Sequence, residues 1–192
     1  MPNHVTNILT LSGDAVEIEK VRDLLRTTNQ DGELTNVSFG TVCPMPKELI
    51  GTVSGSEGAK PEWQKENAAK LIEEYGAAEW YSWCSANWGT KWDAYRVGEW
   101  EDDTIKFETA WSPPVIVINK LSIMFPKVCI NLKSADEGCG FVCNVDWECG
   151  CMIRDETYCS GEAFLNLMYD ITGRDIKAEE AEYEREQEEN EQ

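Results

Sequence analysis

Eight cysteines, one histidine and 36 carboxylates are the side chains of this chain best equipped for chemistry. Five of the thiols crowd one stretch, at Cys139, Cys143, Cys149, Cys151 and Cys159. Four thiolates suffice for a tetrahedral zinc site, but structural sites bring their ligands in close C-x-x-C pairs, and this chain has none. Cys139, Phe141, Cys143, Val145 and Trp147 instead alternate with mostly small or polar residues. That is the period of a half-buried strand, in which cysteine serves as a small hydrophobe. Core thiols are therefore expected, with no metal and no cofactor; a metal-binding or redox-linked cluster built on the same five residues is the alternative. His4 and Cys84 are the materials of a Cys–His nucleophile pair, yet nothing in the sequence brings them together. Glu99, Glu101, Asp102 and Asp103 offer paired carboxylates at an expected hairpin tip, without the ligand spacing of a dedicated cation loop. Gly51–Gly58 lacks the Gly-Lys-Ser/Thr ending of a phosphate loop. No catalytic residue is expected, and the chain is read as non-enzymatic.

The 192 residues carry 36 acidic and 17 basic side chains, a net charge of −19 and a pI near 4.3. Backbone-led binding of DNA or RNA needs a surplus of Lys and Arg, so direct nucleic-acid binding is excluded, and an anionic membrane surface is disfavoured on the same ground. No apolar run approaches the length of a membrane span, and the opening Met1-Pro2-Asn3-His4-Val5-Thr6-Asn7 has neither the basic nor the apolar region of a signal peptide. A cytoplasmic protein with reduced thiols is expected. Part of the charge is local. Nine carboxylates against two cations in residues 175–191 leave −7 there and −12 on the rest of the chain. As a helix, that tail would scatter its carboxylates around the axis and oppose the helix dipole, so a frayed, solvated tail is expected.

The elements that must position these residues follow from periodicity and punctuation. Residues 3–11 read as a strand with Val5, Leu9 and Leu11 on one face. Asp14 caps a helix that runs to about Thr28, with Glu17 reaching back to the cap, and Asn29–Gly32 is turn chemistry. Residues 34–43 resemble a second strand, and 51–60 a flexible loop. Pro61 opens a helix with Trp63, Leu71, Ile72 and Tyr75 on its apolar face, closed by Gly76. A short helix over 77–87 follows, then a strand pair over 94–100 and 104–110. Ser112 caps a helix with Pro113 in its first turn; strands over 127–132 and 138–147 and a helix over 161–171 complete the order. From residue 96 the order strand, strand, helix, strand, strand, helix gives an α+β fold. The sheet is mostly antiparallel with helices on one face, and the C-terminal part is ferredoxin-like. Three parts are expected: 1–95 with a tryptophan-rich helical segment, 96–174 ferredoxin-like, and 175–192 the acidic tail.

Six of the eight tryptophans fall between Trp80 and Trp111. Such rings fill a core, anchor a protein interface, or stack on bases or sugars. Core packing is the leading reading, and a stacking platform is disfavoured because only Lys91 and Arg96 are cationic between Trp80 and Glu99. Trp83, Trp88 and Trp92, with Glu99, Glu101, Asp102 and Asp103, are the candidate protein interface. Three stretches also carry a family resemblance: Met1 to Asn7, Trp83-Cys84 with Asn87 to Ala94, and Phe107 to Pro114. Leu121-Ser122, Phe125-Pro126, Glu137-Gly138 and Gly140-Phe141 extend it. On these residues the chain resembles a family of small plasmid, phage and prophage proteins typified by YubB. The resemblance implies a ferredoxin-like C-terminal portion and no catalytic residues. With the charge outside the tail, it sets the functional expectation of a mobile-element protein that binds and inhibits or modulates a host protein. The specific version is an acidic surface competing for the groove of a nucleic-acid-binding defence complex, as anti-restriction and anti-CRISPR proteins do. A structural module without inhibitory role is the third reading.

Overall fold

Strand β1 (His4–Gly13) shows the expected two-residue period: Val5, Asn7, Leu9 and Leu11 are buried, while His4, Thr6, Ile8 and Thr10 are half-buried on the other side. The computed structural model describes residues 3–28 and 32–190, so most of the turn expected at Asn29–Gly32 lies outside the described residues. β1 pairs antiparallel with both β4 (Thr104–Ala110) and β5 (Val128–Asp136). With β6 (Val142–Glu148) and β7 (Cys151–Tyr158) they form a sheet of order β4-β1-β5-β6-β7. β4 and β5 therefore run parallel across β1 and are joined by helix α5 (Val115–Met124), a split β-α-β unit. The fold is thus α+β with an antiparallel sheet, as the element order indicates. β1, from the N-terminal part, is threaded between β4 and β5 and is a central member of the sheet that the later strands form.

Helix α1 (Ala15–Leu25) begins at Asp14, whose carboxylate accepts from the N–H groups of Val16 and Glu17. Glu17 does not reach back to that cap; it holds Lys20 at 2.9 Å. α1 packs with α2 (Phe39–Val42) and α5 on the inward face of the sheet, where Leu9, Phe107, Leu132, Val145 and Trp147 are fully buried. Each such side chain contributes about 1.5–3 kcal/mol. Helix α6 (Gly161–Thr172) covers the opposite face, setting Phe164, Met168 and Ile171 against Ala135 and Val142. The two helices expected to share a face thus lie on opposite ones. The handed crossover fixes α5, but no strand of this sheet follows α6, so the same rule does not hold it.

Other departures have local causes. The strand expected over 34–43 shrinks to β3 (Leu34–Thr35), paired with β2 (Thr27–Thr28), because the Asp93 carboxylate accepts from the Phe39 N–H at 2.5 Å and the Ser38 hydroxyl at 2.7 Å and starts α2. The strand expected over 94–100 survives as isolated bridges, Tyr95 to Glu108 and Glu101 to Thr104, since Arg96 takes a left-handed φ of 47°. Ser112 caps no helix; its hydroxyl donates to the Gly89 carbonyl at 2.6 Å. Helix α3 (Glu62–Tyr75) ends on left-handed Gly76 as expected, but it buries Gln64 and Leu71 and leaves Trp63 and Ile72 exposed. Gln64 explains that rotation. Its side-chain amide accepts from the Val53 N–H and donates to the Val53 carbonyl, both at 2.8 Å, and so ties the glycine-rich segment 51–60 to α3.

Helix α4 (Trp80–Asn87) starts at Glu79, whose carboxylate accepts from the N–H groups of Tyr81 and Ser82. The acidic tail is helical, not frayed, over α7 (Ile176–Asn190). Asp175 caps its first turn by accepting from the Ala178 N–H at 3.1 Å, Ile176 is buried against the α6 cluster, and Arg174 binds both oxygens of Glu179. With that turn nucleated, the Ala, Glu, Gln and Arg that follow propagate the helix despite the dipole. No helix among the described residues is long and apolar enough to cross a membrane.

One buried polar residue ties three strands together. The Asn7 amide donates to Thr109 Oγ1 of β4 and to the Val5 carbonyl, both at 2.9 Å, and its oxygen accepts from the Ser134 hydroxyl of β5 at 2.7 Å. Asn7→Ala leaves two buried hydroxyls short of a partner, so equilibrium denaturation is expected to show a loss of about 2–4 kcal/mol. A loss below about 0.5 kcal/mol, within the range of an ordinary surface substitution, refutes this reading.

Candidate functional site

One corner of the sheet brings together several accessible aromatic and polar side chains. It forms where β4 ends, where β1 begins, and where the chain leaving α4 crosses between them. The register opposes His4 to Ala110 and Tyr95 to Glu108. The Thr90 hydroxyl donates to the Ala110 carbonyl at 2.9 Å and, with the Ser112–Gly89 bond, clamps residues 89–92 beside the strand end. Gly89 is required there: its φ is 87°, and a Cβ would lie 3.3 Å from both the Ile116 nitrogen and the Pro113 oxygen. Trp111 has a left-handed φ of 69° and donates its N–H to the Asn3 carbonyl at 3.0 Å, which turns its ring out of the strand alternation.

Two groups share this corner. In the first, the Lys91 ammonium lies 4.4 Å from the ring centroid of Trp111, 4.6 Å from that of Trp92 and 6.0 Å from that of Tyr81. Contacts of this kind contribute about 0.5–1 kcal/mol each at exposed sites. Trp92 and Trp111 remain 39% and 46% exposed. In the second, His4 Nδ1 lies 2.8 Å from the Tyr95 hydroxyl and 3.4 Å from Glu108, whose carboxylate also holds Arg96 at 2.8 Å. Burial, and after it the Glu108 charge, push the Tyr95 phenol above its ordinary value, so it stays protonated. An edge-to-face contact of 6.3 Å between Trp92 and Tyr95 joins the two groups. The arrangement is an aromatic surface with a cation held in it, flanked by a polar cluster.

The residues singled out in the sequence divide among three places. Trp83 and Trp88 are core residues, corrected from the interface reading: their rings meet edge to face at 5.6 Å, and the Trp88 indole N–H donates to the Cys43 carbonyl at 2.8 Å. Trp92 alone of the three is exposed, and it sits at the corner. The acidic tip lies at the other end of β4, about 20 Å away at the rise of an extended strand. There Asp103 binds Arg22 at 2.6 Å and Glu99 accepts from the Asn36 amide at 3.0 Å, while Glu101 and Asp102 are exposed. The tip and Trp92 are therefore not one surface. Tyr81, Lys91, Tyr95 and Trp111 are site residues that no sequence pattern singles out. The parity of buried Ile105, Phe107 and Thr109 points Trp111 inward, and only its left-handed backbone reverses that.

The thiols also separate. Cys143 is a core residue of β6, as its alternation indicated, but Cys139 sits in the turn before it with a φ of 60°. Cys149, Cys151 and Cys159 are exposed, contrary to the expectation of core thiols. Among the described residues no three His, Cys, Asp or Glu side chains converge as metal ligands would. Cys84 is buried in α4 and belongs to the main core, whereas His4 bonds Tyr95 and Glu108 at the surface. Desolvation, followed by the Asp93 and Glu79 charges, pushes the Cys84 thiol from 9.0 up to about 12.

Residues 87–146 match the family model described as the ferredoxin-like domain in Api92-like protein. The match includes Trp88, Lys91, Trp92, Tyr95, Glu108 and Trp111, so the corner is built largely from it. The crystal structure of a protein Api92 from Yersinia pseudotuberculosis is similar to this chain with a TM-score of 0.51 at 10% sequence identity, covering 84% of this chain and 100% of that one. At that identity the likeness is one of fold. No curated protein matches the chain significantly.

The thiol environments predict an order of reactivity. In native protein at pH 8, iodoacetamide is expected to label Cys149, Cys151 and Cys159 first and to spare Cys84 and Cys143 until the chain unfolds. The sign for stability follows. An unfolded Cys84 ionises near 9.0 and the folded one only near 12, so stability is undiminished below pH 9 and falls as pH rises through that window. Mass-spectrometric mapping that finds Cys84 labelled as fast as Cys151 contradicts this assignment.

Proposed function

We propose that the chain is a YubB-like protein of a mobile genetic element that binds a host protein and inhibits or modulates it. It does so without catalysis and in the host cytoplasm. The observation that carries the reading is the exposed pair Trp92 and Trp111 on one corner of a strongly acidic chain, because accessible tryptophans dominate interface energetics. The partner that fits is basic. The exposed carboxylates of Glu66, Glu73, Glu101, Asp102, Asp155 and Glu156 form no ion pair among the described residues. Together they favour a protein whose own ligand is a polyanion, such as the nucleic-acid groove of a defence complex of the restriction or CRISPR type. Direct binding of nucleic acid or membrane by this chain is not part of the proposal.

Capture from host lysate at low salt is expected to recover a nucleic-acid-binding protein that duplex DNA displaces. Trp92→Ala with Trp111→Ala is expected to weaken that capture by about tenfold or more, the loss of one strong interface anchor. Recovery of no such protein, or binding that duplex DNA leaves untouched, counts against the reading.

A further inference from the structure

Lys91, like Lys106 and Lys120, is a cation whose ammonium pairs with no carboxylate among the described residues. Acidic side chains outnumber basic ones 36 to 17, and Lys20, Arg22, Arg96, Lys133, Arg154 and Arg174 each reach a carboxylate. Lys91 reaches none among the described residues: its ammonium makes neither an ion pair nor a hydrogen bond there and lies against three rings. Those rings do not depend on the lysine for their positions. Tyr81 meets Trp111 edge-on at 6.1 Å and Trp80 at 5.8 Å. Trp92 leans on Tyr95, which the His4 ring holds through its phenol, and the Trp111 backbone is pinned to Asn3. The lysine is the movable part, a compact charge on a flexible stem, and both tryptophans still present surface to solvent.

We infer that Tyr81, Trp92 and Trp111 form an aromatic receptor for a cationic side chain, Lys or Arg, of the bound protein, with Lys91 as its resident and displaceable occupant. The inference deepens the proposed function and rests on its reading of the partner as basic. The fit is chemical: the negative faces of indole and phenol rings attract a cation, and a guanidinium adds planar stacking. One cation exchanges for another, so no bond is made or broken. Lys91, once displaced, is released to water or to a carboxylate of the partner. Occupancy by Lys91 also keeps the cage from binding stray cations, so that only a partner making further contacts nearby can replace it.

The probe is tetramethylammonium chloride, titrated against sodium chloride at equal ionic strength and read by tryptophan fluorescence. Lys91→Ala empties the receptor and is expected to bind the probe about fivefold or more tightly than the unaltered chain. Adding Trp111→Ala is expected to abolish that gain, and an unchanged circular dichroism spectrum shows that both variants fold. The inference is overturned if Lys91→Ala binds no more tightly, or if the double variant binds as well as the single one. The two proposals fail separately: probe binding that follows this pattern without any basic partner in the lysate capture sinks only the proposed function. Capture of a nucleic-acid-binding partner that Trp92→Ala with Trp111→Ala weakens, alongside Lys91→Ala that binds the probe no more tightly, sinks only the receptor.

Discussion

Asn7 stands where three strands meet, and the geometry of everything around it depends on satisfying its amide. Its bonds to Thr109 and Ser134 hold β4 and β5 to either side of β1 in one register. A slip of one residue would reverse which face of each strand is buried, and it would leave a polar amide unpaired in the core. The network continues outward, since the Thr109 hydroxyl donates to the Ser112 carbonyl at 2.8 Å and thereby shapes the exit from β4. That exit contains Trp111. The buried polar network and the accessible aromatic corner are thus consecutive links in one chain of hydrogen bonds.

Charge has a different logic here. The basic residues of the folded body are mostly engaged: Arg22 neutralises part of the acidic tip and also stacks at 4.9 Å on Trp100, while Arg174 fastens the start of α7. What remains unpaired is acidic and distributed over several elements. The corner is the exception, since Lys91 and Arg96 stand beside aromatic rings there. Along β4, the acidic tip and the corner that holds Trp92 and Trp111 lie at opposite ends.

The central sheet was legible because β1, β4 and β6 alternate over most of their length, and Asp14, Pro61 and Gly76 punctuate helices by simple steric and hydrogen-bonding rules. β7 escaped because seven of its eight residues are exposed, which leaves no periodic signal. Residues 94–100 carry the pattern of a strand, but one left-handed residue, Arg96, breaks it. α7 forms against its own dipole because of Arg174 and Ile176, whose contacts are tertiary and leave no local signal. At the candidate site the difficulty was of another kind. Trp83, Trp88 and Trp92 are the same residue type in one run. Which of them is buried was decided by α4 facing Phe39 and Cys43, and by the clamp at Gly89, none of which is local in sequence.

β1 pairs with nothing near it in the chain: its partners are Thr104–Ala110 and Val128–Asp136. At the usual pace of translation, about 5–20 residues per second, roughly a hundred residues separate the emergence of this strand from that of its first neighbour, an interval of about 5–20 s. During that time the apolar face of Val5, Leu9 and Leu11 has no sheet to join. The topology therefore makes this a slow, late-closing fold on the ribosome. A strand that ends up paired on both sides is the one left waiting.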